Sequence, residues 1–345
     1  MKKEVWGKTS NGTEVYRFSV ENKNGVEMVV SDFGATLVQV IVPDKNGNKV
    51  DVTLGYDDVV SYENNGNFFG CFVGPVANRI ANAEATIDGV SYQLEDNDSG
   101  NNLHSDTQNG MNKRIWNAVS TDNSVTFTTS LKDMEYNLPG NREFSVTYTL
   151  TDNNEVKIEY LVKSDKNTII NLTNHSYFNL AGHDAGDVTG HQLQMDASSF
   201  TQIVKGAIPT GTLTPVKDTP LDFTEMKVIA RDIETDYDQV QFVEGYDHNF
   251  VIDNYGAGIR EFAKLYEEST GITMYTATDL PGVQLYTGNW VTDTPGKGGC
   301  TYKRRCGLCL ETQHYPDSVH HDNFPSTIFG PNRPYESTTV YRFEA

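Results

Sequence analysis

Apolar and polar residues alternate along the whole chain, while the spacing typical of amphipathic helices is scarce. The clearest example is a pair of segments, 144–150 and 156–162, in which every second residue is apolar. The Asn- and Asp-rich residues between the two segments are typical of a turn. This stretch therefore predicts a β-hairpin with one buried face, and the chain as a whole is expected to be rich in antiparallel sheet.

The same period of two recurs elsewhere and predicts further strands. Clusters of Asn, Asp and Gly at 44–49 and 62–67 predict the turns that separate them. Two segments, 56–65 and 258–269, have a spacing that predicts a helical turn or two. The other predicted strands are 26–42, 124–131, 271–278 and 283–289.

The domain organisation follows from length and from the even distribution of these signals. A chain of 345 residues fits two ordinary domains or one large β domain. No internal repeat, low-complexity tract or Pro- and Ser-rich linker divides the sequence. We therefore predict an all-β fold, a large antiparallel β-sandwich in which residues 1–345 form a single domain.

The charge balance excludes several classes of partner. Asp and Glu total 47 and Lys and Arg total 27, so the formal net charge is −20. Such an excess repels nucleic-acid backbones and anionic membrane surfaces, and the only cationic cluster is 303–305. No apolar run follows the N-terminal lysines, and no apolar stretch is long enough to span a bilayer. These features predict a soluble, cytoplasmic protein with no nucleic-acid or membrane partner.

Cysteine and histidine spacing raises the question of a metal site. Three of the four cysteines form a C-x5-C-x2-C pattern followed by His314, but the second ligand pair of a usual zinc knuckle is missing. The His-His-Asp run at 320–322 is better interpreted as a solvated loop, because adjacent side chains diverge. We therefore predict no metal and reduced, mostly buried thiols. The four cysteines are Cys71, Cys300, Cys306 and Cys309.

Five stretches combine a polar group suited to binding or catalysis with a rigid strand or turn. The third contains overlapping glycosylation patterns at Asn171 and Asn174, which a cytoplasmic protein would leave unmodified. The five stretches are "GPVANRIANA" (74–83), "NNLHSD" (101–106), "NLTNHSYFNLAG" (171–182), "GYDHNFV" (245–251) and "GLCLETQHYPD" (307–317).

Considered singly, each of these polar residues also has a structural interpretation. Strand alternation places Glu311 on the same face as Cys309, where a carboxylate is costly to bury without partners. Taken alone, Glu311 is therefore expected at the end of a strand with its carboxylate exposed to solvent. His175, between Asn and Ser, is equally compatible with a hydrogen-bonded turn. Structural interpretations also exist for Arg79 as a surface cation, for His104 in a loop and for Asp247 in a turn before a strand.

Taken together, the segments resemble the aldose 1-epimerase (galactose mutarotase) family. "NLTNHSYFNLAG", "YDHNF", "PGVQLYTGN" and "LCLETQ…PD" occur in the family's order, and "GPVANRI" and "NNLH" complete the set. The resemblance extends over essentially the whole chain. It implies an isomerase with one β-supersandwich domain that binds free hexoses such as galactose or glucose in an open cleft, without a cofactor.

The resemblance also implies roles for individual residues. It makes Glu311 the general base, His175 the general acid, and His104 a sugar ligand that assists at the ring oxygen. The residues that it implies for sugar contact are Asn78, Arg79, Asp247 and Gln284, with Tyr177 or Phe178 packing on the sugar ring.

Mutarotation requires such a pair, because opening the hemiacetal removes a proton from the C1 hydroxyl and adds one to the ring oxygen. A carboxylate suits the first task and a histidine the second. Three alternatives stay open: a carbohydrate-binding protein without turnover, a regulatory or structural β-sandwich that has lost activity, and a hexose-6-phosphate 1-epimerase, against which the negative charge argues. The segments 105–106 and 134–144 differ from the family pattern and are expected at the cleft rim. The preferred aldose, and whether the protein is a monomer or a homodimer, are not predicted.

Overall fold

The computed structural model describes residues 1–345, and antiparallel strands arranged in three main sheets dominate it. The first sheet has five strands in sequential order. They are β1 (Lys2–Lys8), β2 (Glu14–Glu21), β3 (Glu27–Ser31), β4 (Thr36–Pro43) and β5 (Lys49–Asp51).

The second sheet has nine strands, and the C-terminal strand of the chain lies at its centre. In spatial order they are β11 (Asn117–Ser120), β12 (Ser124–Leu131), β13 (Arg142–Leu150), β14 (Glu155–Ser164), β29 (Tyr335–Glu344), β23 (Thr273–Thr278), β22 (Arg260–Tyr266), β17 (Gln192–Met195) and β20 (Lys227–Val228).

The third sheet has five strands and carries part of the candidate site. In spatial order they are β19 (Pro209–Pro215), β18 (Ser199–Ile203), β21 (Asp247–Val251), β24 (Gly282–Tyr286) and β27 (Cys309–Gln313).

Short strand pairs and helical turns connect the sheets. The pairs are β6 (Phe72–Val73) with β16 (Thr173–Asn174), β7 (Arg79–Ile80) with β10 (Asn102–Leu103), β8 (Glu84–Ile87) with β9 (Val90–Gln93), β15 (Thr168–Ile169) with β28 (Ile328–Phe329), and β25 (Thr294–Pro295) with β26 (Thr301–Tyr302). The α-helices are α1 (Val59–Glu63) and α2 (Asp238–Phe242). The 3-10 turns are Ala81–Ala83, Met111–Lys113, Glu135–Asn137, Ile229–Arg231, Lys297–Gly299 and Ser318–His320. None of the helices has the length and apolar character needed to span a membrane.

The main hydrophobic core lies between the three sheets. Its 55 buried residues include Phe18 of the first sheet, Tyr148 of the second and Leu310 of the third. Because each sheet contributes one apolar face, burying that face against another sheet stabilises all three. The prediction of an all-β antiparallel sandwich is confirmed.

The hairpin predicted from alternation is present as β13 and β14. Phe144 lies opposite Val162, and Tyr148 lies opposite Ile158. All four of these side chains are buried, so alternation identified the inward face of this hairpin correctly.

The predicted strand over 26–42 is instead two strands, β3 and β4, joined by a tight turn. Gly34 in this turn has a φ of +67°, and a Cβ there would lie 2.2 Å from the backbone oxygen of Asn112. Only glycine fits so close an approach, which lets the chain reverse inside an apolar run.

Of the two predicted helical segments, one is helical and the other is wrong. Residues 59–63 form α1, whereas 258–269 contains β22, which pairs with β17 on one side and β23 on the other. The register shifts between Glu261 and Ala263, so Phe262 and Ala263 are both buried. This bulge interrupts the period of two, and the sequence there resembles a helical spacing.

The segment 171–176 is anchored to the end of β27 through Asn171. The Asn171 side-chain amide donates to the backbone oxygen of His314 (3.1 Å), and its carbonyl oxygen accepts from the backbone N–H of His314 (2.9 Å). Asn171 and Asn174 are only 2% and 3% exposed, so neither glycosylation pattern is accessible. Asn171 thus fixes the chain that carries His175 against the strand that carries Glu311.

We expect Asn171→Ala to lower the free energy of unfolding by about 2–4 kcal/mol, because it leaves the buried N–H and C=O of His314 without partners. Denaturant unfolding followed by circular dichroism measures this change. The exposed Asn332, for which no side-chain hydrogen bond is formed, provides the matched control, and Asn332→Ala should change stability by less than about 0.5 kcal/mol. Equal effects of the two substitutions would contradict the anchoring role.

Candidate active site

Of the nine residues proposed from the sequence, eight lie on one open cleft of about 210 Å³. They come from six separate segments of the chain, which the fold brings together. The eight are Asn78, Arg79, His104, His175, Tyr177, Asp247, Gln284 and Glu311.

Glu311 and His175 face each other at the floor of this cleft. Glu311 lies on β27 opposite Gln284 of β24, and it is only 2% exposed. Its Oε1 lies 3.7 Å from Nε2 of His175, which is itself 6% exposed. The interpretation of Glu311 as a solvated strand end, favoured when the residue was considered alone, is wrong.

Burial shifts the pKa values of both groups in the directions that favour their neutral forms. Desolvation raises the pKa of Glu311 well above its ordinary value, the nearby charge of Asp247 raises it further, and Arg79 opposes the shift. Desolvation lowers the pKa of His175 to about 4. These directions favour a protonated Glu311 beside a neutral His175, so the pair holds one transferable proton.

His104 is held in a strained and well-defined loop directly after β10. His104 and Ser105 have φ values of +55° and +71°, and the Ser105 hydroxyl bonds to both backbone groups of Val76. The backbone N–H of Asn78 donates to Nδ1 of His104 (3.1 Å). Burial lowers the pKa of His104 well below 6.5, so the ring is neutral and its proton lies on Nε2. His104 can therefore donate one hydrogen bond to a ligand in the cleft.

Arg79, Asp247 and Gln284 form a polar group on the same cleft, in which Gln284 lies beside Glu311 on the neighbouring strand. Arg79 Nε donates to Asp98 (2.8 Å), and its Nη1 lies 4.0 Å from Asp247. Gln284 Nε2 donates to Oδ1 of Asp247 (2.6 Å). Burial raises the pKa of Asp247, and the charge of Arg79 opposes the rise. A carboxylate, a guanidinium and an amide arranged in this way suit hydroxyl groups, which both donate and accept hydrogen bonds.

The predicted ring-packing residues separate into one that lines the cleft and one that does not. Tyr177 lines the cleft and stacks on the ring of His175, with centroids 5.0 Å apart and an angle of 19°. Phe178 is fully buried in the main core and packs on Tyr341, so its alternative assignment to the cleft is wrong.

Three aromatic residues on the cleft were missed by the sequence analysis. The Phe68 ring centroid lies 4.9 Å from that of His104 and 6.0 Å from that of His175. Tyr286 is largely buried, and Trp290 is 52% exposed at the cleft. Phe68 directly follows the segment 62–67, which predicted only a turn, and Trp290 directly follows "PGVQLYTGN". For Phe68 and Trp290, the sequence signal that could have identified them was an aromatic residue directly after one of these segments.

The two segments expected at the cleft rim border a different cavity. Ser105, Asp106 and Glu135 line a neighbouring space of about 370 Å³ and are not part of the cleft that contains His175. The left-handed backbone at 104–105 turns the chain away from the cleft immediately after His104.

The donors that could hold a metal ion together are not those that the sequence suggested. His175, Cys309 and Glu311 offer nitrogen, sulfur and oxygen atoms within 4.8 Å of one another. Two of them are the proton-holding pair. The four cysteines are free, with Cys300 partly exposed and the others buried, so the prediction of reduced and mostly buried thiols is confirmed.

His320 and His321 do not diverge as expected, because both rings lie against Asp317. Nδ1 of His320 is 2.6 Å from Asp317, and Nε2 of His321 is 3.4 Å from it. Asp317 also accepts from the backbone N–H of Ala81 and donates its own N–H to the backbone oxygen of Arg79. This cluster joins the loop after β27 to the segment that carries Arg79.

A β-sandwich with a buried carboxyl–imidazole pair and with polar side chains suited to hydroxyl groups on one open cleft is the arrangement expected of an acid–base enzyme that acts on polyhydroxylated ligands. Residues 16–342 match the family model described as aldose 1-epimerase. The chain belongs to the aldose 1-epimerase family.

Similarity to individual proteins extends over nearly the full chain. It is 35% identical over 316 residues to galactose mutarotase from Bos taurus, with coverage of 91% of this chain and 90% of the relative. It is 35% identical over 330 residues to aldose 1-epimerase from Escherichia coli K12, with coverage of 95% and 94%. The solved structure of a GalM/aldose epimerase homologue from C. elegans superposes with a TM-score of 0.86 at 31% identity, covering 95% of this chain and 98% of that one.

The opposite environments of two histidines lead to a direct prediction. The imidazole of His175 should stay neutral from about pH 8 to about pH 5, because burial removes its charged form from water. The titration midpoint of His320 should lie above the ordinary histidine pKa of 6.5, because the hydrogen bond to Asp317 raises the pKa of His320. NMR titration of the ring signals, assigned with His175→Asn and His320→Asn, measures both. A midpoint near 6.5 for His175 would contradict the buried-pair description.

Proposed function

We propose that this chain is an aldose 1-epimerase that interconverts the α and β anomers of free hexoses such as galactose and glucose. Membership of the family supports the reaction. The observation that carries the proposal for the site is the buried pair formed by Glu311 and His175, whose Oε1 and Nε2 atoms lie 3.7 Å apart on a cleft with hydroxyl-binding groups.

In the proposed reaction, Glu311 removes the proton of the C1 hydroxyl while His175 protonates the ring oxygen. The C1–ring oxygen bond breaks, and an aldehyde and a hydroxyl form. Rotation about C1–C2 presents the other face of the aldehyde, and closure returns both protons. Before opening, the single proton of the pair moves from Glu311 to Nε2 of His175, and opening returns both groups to the neutral forms that burial favours.

The remaining cleft residues have proposed binding roles. His104 donates a hydrogen bond at the ring oxygen or at a neighbouring hydroxyl. Arg79, Asp247 and Gln284 hold hydroxyls of the sugar, and Asn78 contributes both to this binding and to the orientation of His104. Tyr177 packs behind the His175 ring and against the sugar.

The paired acid and base argue against a binding protein without turnover, because binding alone does not require two buried groups that exchange a proton. The cleft also argues against a sugar phosphate as substrate. Arg79 is the only Lys or Arg among its lining residues, and its Nε is already bonded to Asp98. Galactose and glucose, which are uncharged, fit this electrostatic environment better.

We also propose that residues 1–345 form one domain, since the main core includes residues from Phe18 to Phe343. A cytoplasmic location is consistent with four free cysteines. We propose a monomer or homodimer whose partner is a free monosaccharide.

Glu311→Gln and His175→Asn should each lower the rate of anomer exchange by at least about 10²-fold, because each removes one of the two proton-transfer groups. Polarimetry of freshly dissolved α-galactose and α-glucose measures this rate after subtraction of the spontaneous reaction. Galactose 6-phosphate, assayed in parallel, tests the alternative substrate class.

Matched controls separate loss of chemistry from loss of fold. Glu336 is exposed and His183 contacts Tyr302 outside the cleft, so Glu336→Gln and His183→Asn should retain activity. Circular dichroism should show folded protein for all four variants. Full activity of folded Glu311→Gln or His175→Asn would contradict the proposed roles, and a preference for the phosphate would contradict the proposed substrate.

A further inference from the structure

A row of side-chain amides runs from the cleft into the interior along one face of the third sheet. Gln284 on β24 lies opposite Asn249 on one side and Glu311 on the other. Gln313 follows Glu311 by two residues on β27, so the two side chains share one face of the strand. Gln284 lines the cleft, whereas Gln313 is 0% exposed and does not. Any effect of Gln313 on a bound sugar is therefore transmitted by the side chains that it contacts.

Hydrogen bonds connect these side chains in series. Nε2 of Gln313 donates to Oδ1 of Asn249 (3.1 Å) and to Oε1 of Gln284 (3.2 Å), which uses both hydrogens of the Gln313 amide. Nε2 of Gln284 in turn donates to Oδ1 of Asp247 (2.6 Å). The series thus begins at a buried amide and ends at a carboxyl group on the cleft.

The direction of the bonds in this series follows from its carboxylate end. An ionised carboxylate only accepts hydrogen bonds, and the guanidinium of Arg79, 4.0 Å away, favours that form of Asp247. Nε2 of Gln284 must therefore face Asp247, and Oε1 of Gln284 requires a donor on its other side. Gln313 is that donor. Reversing the Gln284 amide would place an oxygen against the carboxylate and a donor against the donor of Gln313.

A glycine leaves the space that the series occupies. Gly282 on β24 lies opposite Gln313. A Cβ at Gly282 would lie 2.5 Å from Oδ1 of Asn249 and 2.9 Å from the ring of Tyr315. A side chain at this position would therefore displace the oxygen that accepts from Gln313.

We propose that Gln313 is a positioning residue that holds the Gln284 amide with its Nε2 toward Asp247. In this orientation, one hydrogen of the Gln284 amide binds Asp247 and the other is available to a hydroxyl of the sugar. Gln284 thus presents a donor, and Asp247 an acceptor, to the same ligand. The consequence for sugar affinity rests on the proposed function, whereas the orientation of the amide does not.

Gln313→Met keeps the length of the side chain and removes its donor, so the Gln284 amide is no longer held. We expect KM for galactose to rise roughly 3- to 10-fold, the effect of losing one hydrogen bond, with kcat changed less than about 2-fold. The hydrogen bonds of Gln313 do not involve Glu311 or His175, so proton transfer should continue. Polarimetry measures both constants, and calorimetric titration with galactose should show a matching rise in Kd.

A double substitution separates positioning from a general structural effect. Gln284→Met should itself raise KM, because it removes a donor to the sugar. Adding Gln313→Met to Gln284→Met should raise KM by less than about 2-fold more, because Gln313 acts through an amide that is then absent. Gln239 is the matched control, since it is buried, bonds to the backbone of Ile203 and does not line the cleft. Gln239→Met should lower stability without changing KM.

Neutron diffraction from deuterated crystals of the wild type locates the amide deuterium atoms without any substitution. We expect the two deuterium atoms of Gln313 to point at Asn249 and Gln284. A Gln313 oxygen facing Gln284 would overturn the proposal, even if the variants fail to fold. An unchanged KM in folded Gln313→Met would also overturn it, as would an equal rise in KM with and without the Gln284 amide. If the wild type lacks epimerase activity, the proposed function fails, while the neutron structure still decides the amide orientation.

Discussion

The burial of the Glu311 carboxyl opposite His175 is the interaction on which the rest of the site depends. A carboxyl group removed from water in a β-sheet is costly unless it is neutral or well partnered. Here β27 brings it to within 3.7 Å of an imidazole that is buried just as deeply. Each group favours its neutral form, and this shared preference makes the pair a reservoir for a single proton.

The surrounding structure preserves that arrangement from several sides. Asn171 ties the segment that carries His175 to the end of β27, Tyr177 stacks on the ring, and Cys309 contacts Nδ1. These contacts hold the segment 171–177 against β27 and the residues that follow it, so the imidazole has little freedom to rotate. A fixed ring suits a reaction in which two protons move at nearby oxygen atoms of one sugar.

Some of this architecture could be predicted from the sequence and some could not, for physical reasons. The β13–β14 hairpin was predictable because its alternation is uninterrupted, whereas the bulge at 261–263 disguised β22 as a helical segment. The turn at Gly34 depends on an approach to Asn112, a contact between residues distant in sequence. Such contacts are not encoded in local periodicity.

The candidate site, like the fold, could be predicted from the sequence only in part. Motif order identified nine residues, and the fold places eight of them on one cleft and Phe178 in the main core. The burial of Glu311 was not predictable from its own neighbours, because it depends on how β27 packs against the segment 171–177. The contact between Cys309 and His175 and the positions of Phe68 and Trp290 required the three-dimensional structure for the same reason.

The most direct test of the one-proton pair is the pH dependence of kcat/KM for α-galactose, corrected for spontaneous mutarotation and accompanied by circular dichroism at each pH. The active pair carries one proton in total. The pair takes up a second proton, on His175, only as the pH falls toward about 4. We therefore predict a constant kcat/KM from about pH 8 to about pH 5 and a decline below it while the protein stays folded. A decline centred near the ordinary histidine value of 6.5 would contradict the account.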